Sequence, residues 1–397
     1  MSTRSTDLQR RRLLGATVCA GVASAWSTLS IAGTATPDST RLAVVILRGG
    51  MDGLSAVPAV GDPGFAPARG ALSQFASAPL TLDNTFALHP QLTRLHGMFK
   101  GGEALVVHAV GLPYRERSHF DAQQVLESGG AKPYELTTGW LGRALAATGA
   151  KGMALNTAVP LVLRGDATVD TWAPSVLPDP SSDLVARLER MYGGDVALST
   201  ALARAKALHF DGTMSAGMDE ASAKGRSNGL LAQRAAEFLS QPTGPRAVVL
   251  EMGGWDTHAN QSAPNGALAN NLRLLDEGLG TLRDGLVPSG AWKRTIVVVM
   301  TEFGREVAMN GTQGTDHGTG GAAFVLGGAV KGGRVIADWP GLAKKDRFEG
   351  RDLRTTTDTR AVLKSVLADH LHVPKQRLDA DVFPGSQGLP ALRLLAG

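Results

Sequence analysis

A chain of 397 residues that is 43% hydrophobic and 19% charged is globular in class and long enough to bury a sizeable core. Its formal net charge of +4 is misleading, because residues 1–36 hold four arginines against one aspartate and so carry +3 of it. The remainder is near neutral and lacks the clustered basic footprint that nucleic-acid binding needs. The single cysteine, Cys19, lies in the same leading stretch, which leaves no disulfide for the rest of the chain.

The leader runs basic, then apolar. Arg10, Arg11 and Arg12 stand directly before Leu13 and Leu14, and an apolar, small-residue run extends to Ala32, ahead of Gly33, Thr34 and Ala35. That order predicts a signal peptide over 1–36. The paired arginines predict the twin-arginine route, with its translocase as a partner during export and a periplasmic or extracellular destination. Thr17, Ser24, Ser27, Thr28 and Ser30 make the run too polar for a stable membrane span. Val18 ahead of Cys19, where a small residue would be needed, argues against lipid attachment.

Residues 37–397 read as one α/β domain. Arg41–Leu47 is a nearly continuous apolar run, the pattern of a strand buried on both faces of a parallel sheet. Further strands are expected at Ala104–Val110, Val159–Leu163, Ala247–Met252, Ile296–Thr301 and Ala322–Leu326. Helical periodicity lies between them, at Ser118–Glu127, Ser182–Tyr192, Val196–Leu208, Ser227–Ser240, Leu268–Leu286 and Thr359–Leu371. Strands alternating with helices predict an α/β fold with a mostly parallel sheet. The small, polar stretch 211–226 reads as a mobile connection.

In open α/β sheets ligands bind at the carboxyl ends of strands, and the acids and histidines of this chain fall there. Asp52 follows the first strand, Asp256 and His258 follow Ala247–Met252, Glu302 follows Ile296–Thr301, and Asp316 and His317 come shortly after. Carboxylate oxygen with imidazole nitrogen suits zinc, manganese or iron, whereas magnesium and calcium prefer oxygen alone. Four acids at one edge would repel without cations. The six residues are therefore expected to hold one or two divalent ions, zinc or manganese. Each also has a plainer reading: Asp52 before Gly53 as a turn residue, Asp256 to His258 as a helix start, and Glu302 as an ion-pair partner of Arg305. Ser118 precedes a helical pattern with Asp121 three residues on, close to a capping box. A hydroxyl at a helix N-terminus also suits attack on an anion, so Ser118 is a candidate nucleophile. His119 and Arg117 are candidate substrate contacts, and Arg305 a candidate clamp on an anionic oxygen. The glycine-rich segments match neither a phosphate-cradling loop nor a dinucleotide fingerprint.

Five ordered motifs carry a resemblance: Leu47-Arg-Gly-Gly-Met-Asp-Gly53, Ser118-His-Phe-Asp-Ala-Gln123, Gly253-Gly-Trp-Asp-Thr-His258, Thr301-Glu-Phe-Gly-Arg305 and Thr315-Asp-His-Gly-Thr-Gly320. Together with Val382-Phe-Pro-Gly385, they resemble an exported bacterial family catalogued as domain of unknown function 1501. That family is similar to the alkaline-phosphatase and sulfatase superfamily. The resemblance implies a three-layer α/β/α sandwich with metals at the strand ends. It would make Asp52, Asp256, His258, Glu302 and His317 metal ligands, with Asp316 substituting for a missing one, and Ser118 the nucleophile. Glu302-Phe303 stands where the superfamily has aspartate followed by histidine. The expected function is a metal-dependent hydrolase or transferase for phosphate, sulfate or related esters of a small molecule or polymer. The alternative is a non-catalytic exported binding protein with a structural or relic metal site.

Overall fold

The computed structural model describes residues 39–174, 180–208, 220–261 and 266–396. The expected signal peptide, and most of the connection expected at 211–226, lie outside them. Nine strands form the central sheet: β1 (Arg41–Arg48), β2 (Ala104–Gly111), β3 (Gly152–Ala154), β4 (Val169–Thr171), β5 (Ala247–Gly253), β6 (Thr295–Thr301), β7 (Gly321–Gly327), β8 (Val335–Ile336) and β9 (Thr357–Asp358). Their spatial order is β8-β2-β7-β6-β1-β5-β3-β4, with β9 also pairing with β2. Among them β7 alone runs against its neighbours, β2 and β6. β1 lies at the centre, with Leu42 level with Ala247 of β5 and Ile296 of β6.

Side chains alternate across β1, and each set enters a different core. Ala43, Val45 and Leu47 pack toward α3 (Thr93–Lys100), α8 (Glu220–Ser240) and α9 (Ala267–Leu286). Leu42, Val44 and Ile46 pack toward α4 (His119–Ser128), α5 (Trp140–Ala147) and α10 (Thr359–Asp369). The remaining labelled helices are α1 (Gly53–Ala56), α2 (Phe65–Arg69), α6 (Ser182–Tyr192) and α7 (Val196–Leu208). The molecule is thus a three-layer α/β/α sandwich with a mostly parallel sheet, as expected. No helix among the described residues is long and apolar enough to cross a membrane.

One strand expectation is corrected. Val159–Leu163 is apolar and partly buried, but Leu161–Leu163 forms a single 3-10 turn. Pro160 has no N–H to give a ladder, and the Val162 amide donates to Glu127 Oε2 at 3.0 Å instead. The sheet is extended on that side by β3 and β4, which flank the turn.

Two histidines are sealed into this frame. His108 Nε2–H donates to Val57 O at 2.9 Å while Nδ1 accepts from the Ala109 amide, and His370 Nε2–H donates to Arg41 O at 2.8 Å. Burial pushes both imidazoles from 6.5 down to about 4. The unfolded chain then takes up protons below about pH 6.5 that the folded chain refuses until about pH 4, so stability falls across that window as pH drops. Urea unfolding at pH 7.5, 6 and 5 is expected to show this decline, and His108→Gln is expected to flatten it. An unchanged slope in the variant would contradict the assignment.

Candidate metal centre

The loops after β5 and β6 and the loop before β7 meet over the carboxyl end of β1. They can approach closely because glycine stands where a side chain would not fit. Gly49 has φ +121°, and a Cβ there would lie 2.5 Å from the Asp256 amide nitrogen. At Gly304 a Cβ would lie 1.8 Å from the Gly320 carbonyl. Trp255, fully buried, anchors the turn that carries Asp256 and His258.

Three imidazoles and one carboxylate converge there. His119 Nε2 and His258 Nε2 each lie 3.0 Å from His317 Nε2. The Asp256 carboxylate is 3.0 Å from His258 Nε2, 3.2 Å from His317 Nε2 and 3.4 Å from His119 Nε2. One ligand atom from each of His119, Asp256 and His317 lies within a 4.8 Å span.

The opposite nitrogen of each ring has an oxygen partner of its own. His119 Nδ1 faces Glu302 Oε1 at 2.8 Å, His258 Nδ1 faces Asp316 Oδ1 at 3.1 Å, and His317 Nδ1 faces the Arg117 carbonyl at 2.9 Å. These oxygens are acceptors, which favours the proton on Nδ1 and an Nε2 lone pair turned inward. Lone pairs 3.0 Å apart repel unless a cation or a proton lies between them. Such outward hydrogen bonds are also what orients histidines that bind metals.

The outer oxygens are firmly held. Burial alone would raise the Glu302 carboxyl, but hydrogen bonds from His119 and Gln123 outweigh it and hold it below the usual range. Glu302 also accepts from the Gly49 amide and from Thr301 Oγ1, each at 2.9 Å. Asp316 is lowered chiefly by its hydrogen bond from Asn310. Burial likewise opposes ionisation of Asp256, and Arg305, paired with it at 2.5 Å, more than compensates. The hydrogen bond to Glu302 raises His119, whereas burial and then repulsion from His119 lower His317. Phe303 packs beside both rings, with centroids 4.6 and 5.1 Å away.

The structure sorts the expected residues. Asp256, His258 and His317 belong to the inner cluster. Glu302 and Asp316 stand behind it as partners of imidazole Nδ1 atoms. His119, read in the sequence as a substrate contact, is an inner donor. Only the second-rank position of Glu302 reveals this, because that carboxylate already accepts from the ring's far side.

Asp52 is elsewhere. It is 1% exposed, and it caps α1 by accepting from the Leu54 and Ser55 amides at 3.1 and 3.2 Å. Ser55 Oγ at 2.8 Å, Arg69 and Gln261 complete its shell. With both oxygens hydrogen-bonded and Arg69 beside it, Asp52 stands outside the imidazole cluster. Arg305 is also no free clamp: it is buried and donates to Asp256, Gly49 O, Thr315 Oγ1 and Thr315 O. The Arg117 guanidinium is occupied by Asp352 and Glu349. Ser118 caps α4, accepting from the Asp121 amide at a long 3.5 Å.

An α/β/α sandwich with an imidazole–carboxylate cluster at the carboxyl ends of its central strands is the class of protein so defined. The chain belongs to the family described as protein of unknown function (DUF1501), whose model matches residues 102–379 and therefore spans the whole cluster. No curated protein matches the sequence. Similar solved structures include the PsFucS1 sulfatase from Pseudoalteromonas sp., 12% identical, with 75% of this chain and 64% of that one covered and a TM-score of 0.39. An alkaline phosphatase superfamily protein from Vibrio parahaemolyticus is 12% identical, over 78% of this chain and 65% of that one, with a TM-score of 0.38. The phosphonate monoester hydrolase of Agrobacterium radiobacter is 11% identical, over 84% and 74%, with a TM-score of 0.41.

The two roles of the acids can be separated. Asp52→Asn is expected to lower stability by roughly 3 kcal/mol in chemical denaturation, because the buried Arg69 loses its countercharge. Bound metal measured on the same sample is expected to be unchanged. Loss of metal from a folded Asp52→Asn protein would make Asp52 a ligand after all.

Proposed function

We propose that this chain is an exported metal-dependent hydrolase or transferase of phosphate, sulfate or related esters, built around one divalent ion. The observation that carries the reading is the inward convergence of three imidazole Nε2 atoms on the Asp256 carboxylate. Three nitrogens and one oxygen suit zinc, and next manganese or iron, better than magnesium or calcium. His119, His317 and Asp256, whose ligand atoms lie within 4.8 Å of one another, would hold the ion, with His258 closing on it as a fourth ligand. When bound, it would supply Lewis acidity and neutralise charge on the oxygens of a transferring group.

The chain's own residues do the rest. Glu302, Asp316 and the Arg117 carbonyl hold protons at the three Nδ1 atoms and so keep Nε2 available. Arg305 fixes the Asp256 carboxylate and offsets its charge. The export part of the proposal rests on the basic-then-apolar order of residues 1–36.

Exposure favours catalysis over a structural or relic site. Structural metal sites are closed, whereas the side chains of Asp256 and His258 are 42% and 44% exposed. A substrate oxygen could reach the centre from solvent.

Metal analysis of the purified protein is expected to give one equivalent of a divalent ion. Alanine at His119, His258, His317 or Asp256 should each abolish it, and Glu302→Gln or Asp316→Asn should weaken binding about 10–100-fold. A panel of aryl phosphates, phosphodiesters and aryl sulfates then tests turnover. No bound metal, and no turnover after reconstitution, would end the proposal. Ser118→Ala is expected to cost about 1 kcal/mol of stability as a lost helix cap, with metal retained. Loss of turnover in that folded, metal-loaded variant would assign Ser118 as the nucleophile, and retained turnover would exclude it.

A further inference from the structure

Arg117 has φ +62°, in the left-handed region that residues other than glycine seldom occupy. Strained backbone of this kind persists only where its surroundings over-determine it. Here the conformation has a visible consequence: the Arg117 carbonyl meets His317 Nδ1 at 2.9 Å. The next residue, Ser118, opens the helix whose first residue is His119. Two of the three inward-facing imidazoles thus depend on this one turn.

The side chain of Arg117 is tied down away from the cluster. Its Nε donates to Asp352 Oδ2 at 2.8 Å, its Nη2 pairs with Glu349 at 2.5 Å, and its guanidinium lies 5.8 Å from the Phe348 ring centroid. Asp352 has a side chain with no exposure, and its Oδ1 has no hydrogen-bond partner. Arg351, at 3.6 Å, is the other nearby cation. A buried carboxylate so placed depends heavily on the guanidinium that reaches it. The segment bearing Asp352 also holds the far side of the ligand loop, because Arg351 Nη2 donates to the His317 carbonyl at 2.9 Å.

We propose that the Arg117–Asp352 ion pair positions the metal centre. Anchored in Asp352, the guanidinium holds the left-handed turn; the turn's carbonyl keeps the His317 proton on Nδ1 and sets the start of the helix that presents His119. Both are positioning residues, and neither side chain touches the cluster. The inference rests on the metal reading of the site, but its first effect, the His317 tautomer, exists without any ion.

The test uses two readouts on the full protein. In metal-free, 15N-histidine-labelled protein, NMR is expected to show His317 protonated at Nδ1, and Arg117→Ala and Asp352→Asn are expected to give a mixture of tautomers. In a cobalt(II) titration followed by visible absorption, the same variants are expected to bind about 10–100-fold more weakly, with an altered spectrum. Should Asp352→Asn fail to fold, Arg117→Lys keeps the charge but loses the forked contact, and an intermediate loss is expected. Two controls separate positioning from general destabilisation. Glu349→Gln removes only the exposed arm of the pair, and Leu275→Ala weakens the core beneath α9; both are expected to leave tautomer and spectrum unchanged. Folded Arg117→Ala with the native tautomer and native cobalt affinity would overturn the proposal. If wild-type protein takes up no cobalt, the metal reading fails, and the tautomer measurement still decides the positioning on its own.

Discussion

Three imidazole nitrogens, with His119 Nε2 and His258 Nε2 each 3.0 Å from His317 Nε2, form an arrangement that electrostatics would scatter if nothing held it. It is held from outside. A carboxylate or carbonyl oxygen occupies every Nδ1, and the rings cannot turn away without breaking those bonds. The surrounding strand ends, glycine contacts and buried carboxylates serve this constraint. Gly49 and Gly304 let three loops approach within contact distance. Glu302, buried at the end of β6, ties the cluster to the Gly49 amide after β1 and to Gln123 on α4.

Charge is balanced by the same economy of parts. Two buried guanidiniums each answer one carboxylate, Arg69 for Asp52 and Arg305 for Asp256. Asp52 thereby spends its oxygens on protein donors, and Asp256 keeps contact with the imidazoles while its charge is partly offset. What remains open is a single set of inward-facing side chains. The partial exposure of Asp256 and His258 leaves the solvent side of that set accessible.

Much of this was legible in the sequence, and the limits are instructive. The apolar runs of β1, β5, β6 and β7 identified the central strands, and the acids and histidines just beyond them identified the edge. The α/β class and the mostly parallel sheet followed from the alternation of those runs with helical patterns, whereas the three-layer α/β/α arrangement came only from the family resemblance. The short strands β3 and β4 were hidden, because three residues carry no periodicity and the neighbouring apolar segment with Pro160 imitates a strand. Helix α5 was missed for a related reason. Its cap position is Gly139, which offers no capping side chain. Within the site, residue type alone could not rank the shells. Glutamate and histidine are both good ligands, and only three-dimensional contact shows that Glu302 spends its oxygen on His119 Nδ1 while His119 turns Nε2 inward. The Asp52–Arg69 pairing was likewise invisible, since nothing in the spacing of 17 residues links the two.

X-ray absorption spectroscopy of the zinc-loaded protein decides whether the imidazoles hold an ion. A mononuclear imidazole site gives a nitrogen and oxygen shell at about 2.0–2.1 Å with outer-shell scattering from three imidazoles and no second metal. A shell dominated by carboxylate oxygen without imidazole scattering, or a second metal about 3.5–4 Å away, would contradict it.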